Sequence, residues 1–198
     1  MTTVFPSRLR LAGPVLLAAL CLPIAAYANQ ASEQFIRERA VKVVAVLNGN
    51  APIAQKRDEL STLVDENVGI EAIAYYTLGK YRSGASEDEL DRYVSAFKDY
   101  LFAYYIKPAA GFSGITLTVT GSTDLASGNA SIVHTVAKTP GSTELDWYVL
   151  GNSSIVDVEI AGISAAKLLR AQVLAVIGLS GGKISAATDL LKTLVGKA

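Results

Sequence analysis

The apolar positions fall into three successive patterns along the chain. From Gln30 to Ile106 they recur every three or four residues, from Ile115 to Ile160 they alternate, and from Ile163 onward the helical spacing returns. The first stretch predicts a helix over about 31–47, with Phe35, Ala40, Val43, Val44 and Leu47 at helical spacing and Asn48-Gly49-Asn50-Ala51-Pro52 ending it. A second helix carries Ile53, Leu60, Leu63 and Val64. A short third covers 70–78 and stops at Gly79. The fourth has the clearest start: Ser86 as N-cap with Glu89 three residues on forms a capping box, and Glu87 and Asp88 suit the positive end of the helix dipole. Its pattern runs to about Ile106, before Pro108.

On a continuous α-helix, Leu90, Tyr93, Val94, Phe97, Tyr100, Leu101, Tyr104 and Tyr105 share one face, and Phe102 and Ile106 lie off it. Four strands follow over 115–120, 130–138, 144–150 and 155–160, with turns at 121–129, 139–142 and Gly151-Asn152-Ser153. Two helices close the chain at about 164–177 and 184–194. The fold class is α+β: helices packed on one face of a four-stranded antiparallel sheet.

The N-terminus alters the count of what folds. Arg8 and Arg10, the apolar run LAGPVLLAALCLPIAA and the Ala26-Tyr27-Ala28 site read as a secretory signal over 1–28, cleaved before Asn29. Residues 29–198 then form a single domain, placed by export in the periplasm. Cys21, the only cysteine, follows Leu20 rather than the small residue a lipoprotein box requires, and it leaves with the signal. The mature chain is without a thiol for disulfides or metal. Removing Arg8 and Arg10 from the 18 basic residues leaves 16 against 18 acidic ones, so no basic field exists to hold nucleic acid.

Candidate chemistry is sparse. The single histidine, His134, lies in a predicted strand, and no G-x-S-x-G elbow, phosphate loop or dinucleotide fingerprint occurs. A zinc site is not expected, nor any cofactor; an all-carboxylate calcium site stays open. No enzymatic centre is predicted. What stands out is aromatic: seven of the nine tyrosines fall between Tyr75 and Tyr105, with Phe97 and Phe102. Such a cluster fits either ordinary core or the border of an apolar cavity, since each hydroxyl needs a partner.

A family resemblance bears on that choice. Tyr76-Thr77-Leu78-Gly79-Lys80-Tyr81, followed by an acidic capped helix ending in tyrosines, resembles the "tLGryW…f…F…L…Y" region of the MlaC (toluene-tolerance) proteins. The segment from Val156 through Asp157, Gly162 and Ser164 to Arg170 resembles that family's "vyDvvieGvSlv..yR.qf", and Asp146 to Leu150 its "v.Y.l" strand. The tryptophan after the family's first motif has no counterpart, because Arg82 follows Tyr81 directly.

The resemblance implies a soluble periplasmic phospholipid carrier, monomeric and not an enzyme. Its partners would be an inner-membrane ABC transport complex and an outer-membrane lipoprotein complex. It implies an apolar cavity between sheet and helices. Val94, Phe97, Leu101, Tyr104 and Tyr105 would form one wall and Val119, Trp147, Val149, Val156 and Val158 the sheet side. Leu168, Leu169, Val173 and Ile177 would come from the penultimate helix. Asp157 and Arg170 would make a local ion pair or serve the family site, and Gly162 a strand-to-helix turn. Two other readings stay open: a periplasmic adaptor with a packed core and Phe102 and Ile106 as interface residues, and a carrier of another apolar ligand such as a hopanoid.

Overall fold

The structure, a computed structural model, describes residues 25–126 and 128–198. Nearly all of the predicted export signal, Cys21 included, lies outside the described residues. Helix α1 (Ala25–Asn48) is followed by α2 (Ile53–Asn67), α3 (Ile70–Leu78), a 3₁₀ segment (Gly79–Gly84) and α4 (Glu87–Leu101). A π-helical turn (Phe102–Ile106) and the short α5 (Lys107–Ala109) lead into the sheet. Its strands are β1 (Thr116–Asp124), β2 (Ala130–Lys138), β3 (Ser142–Leu150), β4 (Ser154–Ile160) and β5 (Ile163–Ser164), antiparallel in that order. Helices α6 (Ala165–Leu179) and α7 (Ile184–Val195) close the chain.

The expected α+β class is observed, with five strands rather than four. The extra strand follows from Ala161 and Gly162, both at positive φ (51° and 78°), which make a two-residue hairpin and fold Ile163 and Ser164 back onto β4. Gly162 is therefore a hairpin residue, not a strand-to-helix turn. Strand β1 also runs past the turn expected at Gly121, because an irregularity between Val119 and Gly121 absorbs one residue and pairing resumes through Asp124.

Cross-strand partners share a face. Ser131, Val149 and Ile155 align on one face, beside Val133, Trp147 and Val158. Phe35 and Ile36 of α1 pack there against Val119, Val133, Val149 and Ile155. The opposite face is more polar, with Ile132, Tyr148 and Asp157 in one row and His134, Asp146 and Glu159 in the next. A second apolar cluster joins α3, α4, α6 and α7 around Leu78, Tyr93, Phe97, Val173, Ile177 and Leu191, all essentially fully buried. A third joins the end of α1 to α2 and the π turn through Leu47, Leu60, Ile106, Ala110 and Ile115.

Three local contacts lock these parts together. Val68 pairs with Ile155, and the Gly69 amide donates to the Ile155 carbonyl at 2.9 Å, so the α2–α3 junction docks on the edge of β4. Asp157 accepts from the Ala166 amide at 3.0 Å and from the Ser164 hydroxyl, while Ser164 caps α6 by accepting from the Lys167 amide. Arg170 donates to the Tyr76 carbonyl and lies over the Tyr76 ring at 4.5 Å. It also packs flat on Gly79, where a Cβ would stand 2.8 Å from the guanidinium and φ is +55°. Asp157 and Arg170 thus serve α6 and α3 separately and form no ion pair with each other.

Candidate functional site

The site begins at the α2–α3 junction. Val68 is extended (φ −107°, ψ 130°) and Gly69 turns the chain into α3, so the two helices diverge from the edge of β4. The divergence leaves an open groove of about 880 Å³. Val68, Gly69, Ile70 and Ala72 form its apolar side, Tyr75, Tyr76 and Gly79 continue it along α3, and Asp65, Glu71 and Arg82 stand as its charged groups. A smaller, more enclosed recess of about 200 Å³ shares Asp65 and Ile70 with the groove. It runs between α2 and the end of α4, against Val64, Leu101, Phe102 and Ile106. Lys98 bridges to Asp65 at 2.8 Å beside it, tying α4 to α2.

The recess depends on the π turn. Pro108 has no amide proton to give the Tyr104 carbonyl, so an α-helix cannot continue through it normally. The chain widens its pitch instead, and the Lys107 amide donates to the Phe102 carbonyl five residues back. The added residue per turn rotates the end of the helix relative to α4. Ile106, off the buried face of a continuous helix, is carried onto α2 and buried, with Phe102 half-buried beside it. An adaptor surface built on these two residues is not what the structure presents.

Along α4 and into the π turn the aromatic rings close on one another. Tyr93, Phe97, Tyr100 and Tyr104 form a chain with centroid separations of 6.4, 6.5 and 4.7 Å, and Tyr105 meets Tyr100 edge-on at 6.2 Å. Burial raises the Tyr93 hydroxyl to a pKa of about 12, and a 2.6 Å hydrogen bond joins it to Thr77. Burial, with the neighbouring tyrosines, pushes Tyr100 higher still. Burial also raises Tyr105.

At the groove the cause differs. The neighbouring Glu71 carboxylate chiefly holds the Tyr75 hydroxyl above its ordinary pKa, while the Arg82 guanidinium lies over the Tyr75 ring at 4.0 Å.

The residues expected to line a cavity are distributed over three places. Phe97, Leu169, Val173 and Ile177 are fully buried in the four-helix cluster, with Val94, Leu101 and Tyr105 half-buried against it. Val119 and Val149 are covered by α1, and Trp147 and Val158 sit side by side, half-buried, at the edge of that cluster. Val156, the irregular residue opposite Tyr148 and Val149, packs beside Gly69, where a Cβ would stand 3.6 Å from its Cγ1. Tyr104 and Leu168 are exposed.

Among these, Leu101 alone borders either depression. The depressions draw instead on Val64, Val68, Ile70, Tyr75, Tyr76, Phe102 and Ile106. The one signal for them in the sequence was Phe102 and Ile106 lying off their helix face.

His134 is accounted for by its sheet neighbours. Its Nδ1 lies 2.7 Å from Asp146 and its Nε2 3.1 Å from the Thr123 hydroxyl, which places the proton on Nδ1 and leaves Nε2 to accept. The imidazole is a half-exposed link across β1, β2 and β3. Among the described residues no three His, Cys, Asp or Glu side chains gather as a metal site would require, and no helix is long and apolar enough to cross a membrane.

No protein of curated function matches this sequence. Among solved structures, the fold matches the phospholipid-binding protein from Ralstonia solanacearum, determined in complex with a phospholipid, with a TM-score of 0.74. The match covers 84% of this chain and 97% of that one at 18% identity, so it is the fold that the two share. The sequence itself matches the MlaC protein family over residues 37–193, from the middle of α1 to the last turns of α7, and the chain belongs to that family.

Proposed function

We propose that this protein is a periplasmic carrier that covers the acyl chains of a phospholipid and moves it between inner- and outer-membrane transport complexes. The observation that carries the reading is the groove and its adjoining recess, walled on one side by Val64, Ile70, Leu101, Phe102 and Ile106, in a chain of the MlaC family. A fold of this kind holds a phospholipid in the Ralstonia protein. The energetic need is large: at about 0.8 kcal/mol per methylene, a sixteen-carbon tail left in water costs on the order of 12 kcal/mol.

The groove volume lies within the range of small-molecule sites, and its apolar side leads through Ile70 to Val64, Leu101, Phe102 and Ile106. Tails would run inward along that path, with the headgroup in the open groove. The charged groups at the groove are few, which suits a carrier that must also release its load. The reading assigns no catalytic role to any residue.

The test is extraction of the protein, secreted from its full chain and purified without detergent, followed by mass spectrometry of the extract. Phospholipid near one molecule per protein supports the carrier, and the mature N-terminus should be Asn29 in the periplasmic fraction. An empty, cooperatively melting protein would overturn the reading. A hopanoid in place of phospholipid would change the ligand and keep the site.

A further inference from the structure

We infer that the mouth of the groove selects a zwitterionic headgroup, a phosphate diester carrying a primary ammonium, with Arg82 taking the phosphate and Glu71 the ammonium. This rests on the carrier reading above and specifies its ligand.

Glu71, Tyr75 and Arg82 line the same groove. Tyr75 neighbours both charges: its ring carries the Arg82 guanidinium at 4.0 Å, and the Glu71 carboxylate one turn before it in α3 raises its hydroxyl's pKa. Among the described residues neither Glu71 nor Arg82 forms a salt bridge, although both are exposed and of opposite sign. Stacking orients the planar guanidinium while leaving its N–H edge unspent, the geometry that grips a phosphate with two parallel bonds.

Glu71 lies in the first turn of α3, where the helix dipole favours a carboxylate. The other acid of the groove, Asp65, is already committed to Lys98. One cation and one anion therefore remain to meet a ligand. A headgroup with a phosphate alone satisfies Arg82 and sets its negative charge beside Glu71. A headgroup with phosphate and ammonium satisfies both, and the exposed Tyr76 ring adds a face for the ammonium.

The experiment offers lipid-free protein vesicles of equal phosphatidylethanolamine and phosphatidylglycerol and measures the lipids taken up by mass spectrometry. Wild type should favour phosphatidylethanolamine by about tenfold, the scale of one charge-assisted hydrogen bond. Glu71→Gln should bring that ratio close to one by lowering phosphatidylethanolamine uptake, with no fall in phosphatidylglycerol uptake. Arg82→Ala should lower uptake of both lipids, which share the phosphate. Both positions are exposed, so thermal melts should match wild type.

Equal uptake of the two lipids by wild type, or an unchanged ratio in Glu71→Gln, overturns the inference and leaves the carrier intact. No uptake of either lipid removes the carrier and the inference with it. Soluble glycerophosphoethanolamine, with the same charges and no tails, should not bind measurably in a calorimeter. Binding as tight as that of the lipid would make the site one for a water-soluble phosphodiester, against the lipid assignment.

Discussion

The two halves of the tyrosine-rich stretch put the same residue types to different uses. In α4, Tyr93 and Phe97 are closed off from water inside the four-helix cluster. The Tyr93 hydroxyl is accommodated there by a single arrangement: Thr77 gives its proton to the Ala74 carbonyl and accepts from Tyr93, each at 2.6 Å. Beyond Leu101 the helix changes pitch, and Phe102 and Ile106 border a recess while Tyr104 stands 38% exposed, stacked on Tyr100. Aromatic composition therefore does not mark the pocket. What separates the halves is Pro108 and the wider turn before it.

The largest effect that tests this contrast is Phe97→Ala. It removes a fully buried ring from the closed half and should cost about 3–5 kcal/mol in denaturant unfolding. Leu169→Trp, at a residue expected from sequence to line the cavity, should likewise disrupt folding, because Leu169 is core. Ile70→Trp acts on the open half: it should fill the passage between groove and recess and lower bound lipid by about tenfold or more, about 1.4 kcal/mol. An Ile70→Trp protein that folds and keeps its full lipid content would place the ligand elsewhere.

Tyr93→Phe should cost about 1 kcal/mol, the net worth of one buried hydrogen bond, since Thr77 retains its bond to Ala74. The same residue gives stability a pH dependence. Its folded pKa of about 12 lies above the ordinary tyrosine value, so the stabilisation is complete below about pH 10 and is lost as pH rises toward 12. Unfolding curves between about pH 9 and 11 should show the wild type weakening with pH, and Tyr93→Phe weakening less. Tyr104→Phe should be smallest, within about 0.5 kcal/mol, because its hydroxyl belongs to an exposed side chain. A large loss there would mean that the open half is packed more tightly than its exposure indicates.

The local features of the fold were legible because local chemistry fixes them. Ser86 and Glu89 exchange the two bonds of the capping box, Ser164 caps α6, and β2 occupies the span its alternation predicts. Strand β5 was hidden because Ala161, not a residue type favoured at positive φ, occupies half of its turn. The groove was hidden for a different reason. It arises from the docking of Val68 and Gly69 on Ile155, a pairing of residues far apart in the chain that no periodicity announces. The expected lining residues were chosen for being apolar and on a helix face or strand, which are the features of the core. Six of them, Phe97, Val119, Val149, Leu169, Val173 and Ile177, are buried core, and the groove opens where two helices part.

Acyl chains are expected to lie along Ile70 toward Phe102 and Ile106 rather than over the half-buried sheet residues Trp147 and Val158, and on this the carrier site stands or falls. The most direct test is a phospholipid with a photoreactive diazirine in its acyl chain, loaded onto the protein, crosslinked and mapped by peptide mass spectrometry. Adducts should fall on Val64, Ile70, Leu101, Phe102 and Ile106. Adducts confined to Trp147 and Val158 would contradict that path and place the lipid on the sheet.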